Sequence, residues 1–363
     1  VNARTSARTS AQGLDVLYTA ERDVTGWQQR HARGEVPGRW PYGLDELAAG
    51  GADVRAVGLP EPGRLRSAVA RLAPGVAALA SPAGRRVAVA WDENVAHRAA
   101  VLAPRTPLHA GAIWVTDAVA RGRDDDATRA RVRALRRADG VWCLSSAQLE
   151  PLERLLPGVP VSLLRFGVDA GFFRAAPPVE RPLVVSAGGD RDRDATTLFA
   201  ALEEVLRARP ETEVVVQSRS TATAPVGVRV VPHLPHAQLR DLYARASAVV
   251  VATSPNLHVS GMTVALEAMA TARPVVVTAT PGVEDYVVDG VTGHLARSGD
   301  PASVAERLVA LLDDPDAAAA AGRRGRERVE ADLNTARMAR DLRAIVGVGS
   351  GPAAAAVPAA PAR

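Results

Sequence analysis

Short apolar runs recur along the chain, alternating with longer stretches that carry helical spacing, and no other feature limits the fold as strongly. Residues 14–18, 52–57, 87–91, 112–116 and 141–145 read as strands, while 65–80 and 126–137 carry the helical period. The pattern restarts at 182–186 and continues through 212–217, 228–231, 248–253 and 274–278. Strands separated by helices pair in parallel, and a parallel sheet needs cover on both faces. A chain of 363 residues also exceeds what one core usually serves. The expected fold class is therefore α/β, with two doubly wound Rossmann-like halves that meet near residue 170 in the Gly-, Pro- and Phe-rich stretch 165–181. Residues 1–12 and 347–363 lack periodicity and are expected to be disordered.

Composition removes several function classes. The single cysteine, Cys143, excludes an internal disulfide and any cysteine-rich zinc site, and its strand-like surroundings suit a buried structural thiol. All 44 basic residues are arginine, which excludes Schiff-base and P-loop lysine chemistry. A net charge of +4 with aromatics at 4% gives neither a clustered basic face nor stacking rings, so no nucleic-acid partner is expected. No apolar run approaches membrane-spanning length, and a soluble, cytoplasmic protein is expected. Neither metal-ligand spacing nor a Ser-His-Asp order is present, so no metal and no organic cofactor are expected. The sequence is silent on oligomeric state.

Ligands of open parallel sheets bind beyond the carboxyl ends of the strands, where helix N-termini point outward. The strand at 248–253 leads through a loop containing His258 into a helix with Ser260 as candidate N-cap. Gly261, Met262, Thr263 and Val264 would offer backbone N–H groups to an anion such as a diphosphate. Glu267 lies four residues after Thr263, on the same helix face and about 6 Å along the axis. From there it could accept hydrogen bonds from a ribose diol, or it could be a rim-exposed or salt-bridged glutamate; the helix geometry leaves both open. Gly188 and Gly189 followed by Arg191 and Arg193 suit the approach and neutralisation of a diphosphate, against the alternative of a solvated Asp-Arg turn. In the first half, Glu21, Asp92, Glu93 and Asp117 fall at strand ends. They either cap helices or converge on a polar acceptor. His109 reads as a loop residue before the strand at 112–116, His294 as structural, and His236 as a surface residue.

One ordered set of segments is more specific. Leu239-Arg240-Asp241-Leu242-Tyr243-Ala244 is followed by Ser260-Gly261-Met262-Thr263-Val264-Ala265-Leu266-Glu267-Ala268-Met269-Ala270, then by Arg273-Pro274-Val275-Val276, Pro281-Gly282-Val283-Glu284 and Asp289-Gly290-Val291-Thr292-Gly293. These segments resemble the C-terminal half of the retaining group 1 glycosyltransferases, the GT-B family usually called family 4. Phe166-Gly167-Val168-Asp169 resembles the end of that family's N-terminal domain. The resemblance covers about 140–345 well and the first 130 residues poorly.

What the resemblance implies is a GT-B fold of two Rossmann-like domains facing a central cleft. It places an N-terminal acceptor domain at 13–169, a C-terminal nucleotide-sugar domain at 170–330, and a final helix at 331–346 bracing the first domain. It implies metal-independent, retaining transfer from a nucleotide-diphosphate sugar, uridine- or guanosine-linked, to the hydroxyl of a polar, sugar-like or natural-product acceptor. Glu267 would bind the donor ribose and the backbone near Thr263 and Val264 the diphosphate. Arg191 and Arg193 would compensate leaving-group charge, and His233 would lie in the base-contacting loop. Asp117 falls where relatives often carry a sugar-contacting histidine. Val259 stands where relatives carry a first glutamate that contacts the transferred sugar, so either His258 or Ser260 takes that task or the sugar is handled differently. A nucleotide-sugar epimerase and a weakened sugar-nucleotide binding protein are the alternatives.

Overall fold

The computed structural model describes residues 13–49, 51–63, 86–177 and 181–348. The helical stretch expected at 65–80, the first twelve residues and the tail beyond 348 lie outside the described residues. The strands of the first sheet are β1 (Leu14–Thr19), β2 (Val54–Leu59), β3 (Val87–Ala90), β4 (Leu108–Gly111), β5 (Gly140–Cys143) and β6 (Val161–Leu163). Those of the second are β7 (Leu183–Ser186), β8 (Glu213–Gln217), β9 (Val228–Val231), β10 (Ala248–Val251), β11 (Val275–Thr278) and β12 (His294–Ala296). The described helices are α1 (Val24–Ala32), α2 (Glu93–Leu102), α3 (Val115–Ala120), α4 (Asp126–Leu135), α5 (Leu149–Leu155), α6 (Ala195–Ala208), α7 (His236–Ala244), α8 (Met262–Ala270), α9 (Pro301–Asp313), α10 (Pro315–Asp332) and α11 (Thr335–Val346).

Both sheets are parallel, with orders β2-β1-β3-β4-β5-β6 and β12-β11-β10-β7-β8-β9. Strands β7, β10 and β11 are buried along their whole length, as expected where helices cover both faces. Aspartates cap the helices that follow strands, Asp23, Asp92, Asp194 and Asp300, and Asp125 caps α4 after α3; each accepts a backbone N–H from the first turn of its helix. The strand order reverses between β1 and β3 in the first sheet and between β7 and β10 in the second. Those reversals are the crevices where such sheets take ligands.

The strand expected at 112–116 is a correction. The fourth strand is Leu108–Gly111, His109 lies on it, and α3 begins at Val115. The apolar run 112–116 is buried without being extended, because the Glu93 carboxylate accepts the N–H groups of Ile113 and Trp114, each at 2.9 Å, and turns the chain. Strands β6 and β12, three residues each, are too short to show a period.

One core cluster joins the halves, taking Trp91, Trp142 and Phe166 from one side and Tyr243 and Tyr286 from the other. The Tyr286 hydroxyl donates to the Leu144 carbonyl and accepts from the Phe166 N–H. After α10 the chain returns: the Val168 N–H donates to the Leu333 carbonyl at 3.0 Å and the Thr335 N–H to the Val168 carbonyl at 3.2 Å. Helix α11 then packs against the 3₁₀ segment Pro41–Ala48 of the first half. Close packing continues beneath the first crevice, where a Cβ at Gly111 would collide with the Trp91 carbonyl. Gly111→Ala should therefore cost about 1–3 kcal/mol through overpacking, or roughly 2–12 °C in Tm for a domain of this size. A melting curve identical to the parent's would overturn that reading of the contact.

Candidate active site

The loops after β7 and β10 meet at the second crevice. Ser254 N–H donates to the Asp192 carbonyl at 2.9 Å, and Asn256 Oδ1 accepts the Ser260 N–H at 2.8 Å. Val259 takes a left-handed φ of 50°, a strained state for a β-branched residue. The helix cap is Gly261, at φ 86°, and not Ser260. Ser260 instead gives its hydroxyl to Asp190 at 2.7 Å. The Met262 N–H is already taken by the Val259 carbonyl. A cleft of about 300 Å³ opens over this turn, and His258, Ser260, Gly261, Met262, Thr263 and Glu267 line its second-half wall. Val264 is buried and is not among the lining residues.

Glu267 is 6% exposed. Burial pushes its pKa up to about 8, against the lowering influence of Tyr243 and Arg193 beside it. Arg193 does not line the cleft and lies beneath the crevice floor. Its guanidinium packs where a Cβ on Gly188 or Gly261 would sit, and its Nε and Nη1 have no hydrogen-bond partner. Both glycines have positive φ, so each is required twice, by its backbone and by the arginine under it. Burial lowers the Arg193 pKa. Gly189 lies against Arg219, which donates to its carbonyl at 2.7 Å. Arg191 is half-exposed, 3.6 Å from Asp192, and opens onto a separate small depression with Asn94, Trp114 and Arg131.

The two halves clasp through His258. Its Nδ1 lies 2.7 Å from Asp117 Oδ2, and the other Asp117 oxygen accepts the Leu257 N–H at 2.8 Å. Its Nε2 lies 3.3 Å from Asp190 Oδ2. Arg121 adds an ion pair to Asp192 at 2.7 Å and donates to the Pro255 carbonyl. Burial alone would lower the His258 pKa, but its hydrogen bonds to Asp117 and Asp190 outweigh this and raise it to about 9. For Asp117 and Asp190 burial also opposes ionisation, and the hydrogen bonds again prevail, holding both carboxyls below the usual range. At neutral pH His258 is therefore a buried imidazolium donating from both nitrogens. Asp190, Asp192 and His258 could supply one ligand atom each to a cation, within 4.8 Å of one another. That arrangement requires the imidazole to give up the proton it shares with Asp190.

The first-half candidates lie elsewhere. Glu21 is exposed and paired with Arg98 at 2.9 Å, Asp92 caps α2, and Glu93 is spent on Ile113 and Trp114. None of the three lines the cleft. The wall is aromatic instead, formed by Trp27, Tyr42, Trp91, Trp114, Phe166 and Phe173. His233 is exposed. His236, read from the sequence as a surface residue, lines the cleft edge-on to Trp27 at 5.3 Å. Burial pushes its pKa down to about 4. Trp91 directly follows β3 and Trp114 stands three residues beyond β4, in a chain poor in aromatics, which is the signal that could have revealed this wall.

Two parallel six-stranded sheets of this order meeting at a cleft define the GT-B architecture. Residues 181–314 match the family described as glycosyl transferases group 1. In this second half the chain is similar to the group 1 glycosyltransferases, and it spans less than two thirds of the length of the glycogen synthase it matches. It is 27% identical over 265 residues to a glycogen synthase of Mycobacterium tuberculosis, covering 68% of this chain and 62% of the relative. It is 44% identical over 88 residues to D-inositol 3-phosphate glycosyltransferase 1 of Catenulispora acidiphila, covering 24% of this chain and 20% of that one. Sucrose-phosphate synthase from Thermosynechococcus elongatus superposes with a TM-score of 0.66 at 17% identity, covering 93% of this chain and 98% of that one. Anabaena HepE in complex with UDP and glucose gives 0.63 at 15%, covering 93% and 99%. Among the described residues, no helix is long and apolar enough to cross a membrane.

Proposed function

We propose that the protein is a retaining glycosyltransferase that moves a sugar from a nucleotide-diphosphate sugar to an acceptor hydroxyl. The observation that carries this reading is the meeting of the α8 N-terminus and Glu267 in one cleft, at the topological switch of a group 1 domain. The diphosphate would lie over Gly261 and Thr263, and Glu267 would accept from the ribose diol. Arg193 would act from below, through the glycine floor, on the charge that develops on the leaving oxygen. In transfer, the acceptor oxygen bonds to the anomeric carbon as the bond from that carbon to the diphosphate oxygen breaks, on the same face of the sugar. The acceptor proton passes to the departing oxygen, giving a glycoside and a nucleoside diphosphate. His258, charged and held from both halves, would keep the cleft closed and dry during the step. With valine at 259, it and Ser260 are the polar groups next to the sugar position.

HepE was solved with UDP-glucose, so uridine is the first base to test, with guanosine second. The test is nucleoside diphosphate release from a panel of nucleotide sugars in EDTA, with and without hydroxyl acceptors. The expected result is release from one donor that accelerates with an acceptor. Tight donor binding without release under any condition would mark a sugar-nucleotide binding protein. A product of the donor's own mass would mark an epimerase.

A further inference from the structure

The cleft's first-half wall carries information about the acceptor that the carboxylates expected there do not. Three of the chain's five tryptophans, Trp27, Trp91 and Trp114, line it. Tyr42 stacks on Trp91 with centroids 4.7 Å apart and planes 13° from parallel. Tyr42 holds this place in a left-handed backbone, φ 65°, which costs a non-glycine residue free energy and persists only where the surroundings impose it. Arg22 lies over the Tyr42 ring at 5.2 Å; it also lines the cleft, and among the described residues no carboxylate pairs with it.

Two of the polar groups along the same wall, Asp169 and the Trp27 indole, are already committed. Asp169 accepts the N–H groups of Gly38, Gly171 and Phe172 at 2.9–3.0 Å. The Trp27 indole N–H donates to the Gly38 carbonyl at 3.2 Å. A sugar pressed against this wall would lose water from several hydroxyls and find few partners, each orphaned hydroxyl costing roughly tenfold or more in affinity. A flat ring has fewer hydroxyls to strip of water there and gains stacking.

We propose that the acceptor is a planar aromatic hydroxyl compound bearing an anionic substituent, its ring held against the Tyr42–Trp91 stack and its anion facing Arg22. This rests on the glycosyl-transfer reading only for the fate of the hydroxyl, because binding of the ring is measured without turnover. The probe is 6-hydroxy-2-naphthoate, followed by its own fluorescence and by quenching of tryptophan emission, with its methyl ester and myo-inositol as comparisons. Saturable naphthoate binding is expected, stronger than the ester's and far stronger than myo-inositol's. Tyr42→Gly removes the ring and relieves the left-handed strain, and in variant protein shown by its melting curve to be folded it should weaken naphthoate binding roughly 3- to 10-fold. Arg22→Gln should bring naphthoate and ester to equal affinity. Absence of saturable naphthoate binding, preference for myo-inositol, or indifference to both substitutions would overturn the proposal. Naphthoate binding that follows these substitutions, with no nucleotide release from any donor, would sustain the aromatic site and remove the transferase reading alone.

Discussion

Asp117→Ala should lower kcat/KM for nucleotide release by roughly 100-fold or more, the largest loss expected of a single substitution at this site. Asp117 is 3% exposed and does two things at once, accepting from Leu257 N–H and pairing with His258. Its removal leaves a buried imidazolium short of one carboxylate and a backbone donor unsatisfied. Breaking a buried pair from one side costs about 3–5 kcal/mol, and each 1.4 kcal/mol is a factor of ten in the population of the closed state. Because Asp117 belongs to the first half and His258 to the second, much of that cost falls on closure. Small-angle scattering should show a more extended particle in the variant at neutral pH. Activity and dimensions equal to the parent's would refute the clasp.

The same pair sets a pH window. His258 has a folded pKa of about 9, above the unfolded value near 6.5, so its contribution is complete below about pH 6.5 and is lost as pH rises through 9. Asp117 and Asp190 are depressed, so theirs is complete above the unfolded value near 4 and is lost as pH falls toward their folded values. The parent should therefore expand above pH 9, and Asp117→Ala should not show that transition.

Glu267→Ala should weaken donor binding by about 1–3 kcal/mol, the range for charged hydrogen bonds, or roughly 5- to 150-fold by calorimetry. The loss should disappear with a 2′,3′-dideoxynucleoside diphosphate, which has no diol to offer. Proton release supplies an independent reading. With a pKa of about 8, the free protein holds a protonated Glu267 at pH 7, whereas acceptance from both ribose hydroxyls favours the carboxylate. Donor binding at pH 7 should therefore release close to one proton, and binding at pH 9.5 close to none. Equal loss with and without the diol would place Glu267 away from the ribose.

The parallel sheets were legible because β-branched runs such as those of β10 and β11 are buried on both faces and show it in composition. The 112–116 run deceived for the same reason: it is buried as fully as a strand, and only a carboxylate from α2, remote in sequence, bends it. At the crevice, the stretch from Ser260 to Glu267 announced itself through local spacing. The roles of Glu21, Asp92 and Glu93 did not, because a carboxylate at a strand end reads the same whether it caps a helix or faces a ligand. Arg193 stands out in the sequence beside Gly188 and Gly189, but its position under the floor depends on two glycines more than 70 positions apart in sequence, Gly188 and Gly261. The aromatic wall draws on rings spread from Trp27 to Phe173, and no window of sequence contains it.

The two passages of chain between the halves are hydrogen-bonded to each other at Val168, Leu333 and Thr335. A body hung on one thread can swivel about it; a body hung on two that are fastened together has far less freedom to twist. Any opening of the halves would therefore run as a swing like that of a door, with its closed stop where Asp117 meets His258. Each closure would return the same wall to the same floor, so a ligand resting on one would meet a ligand resting on the other in a reproducible alignment.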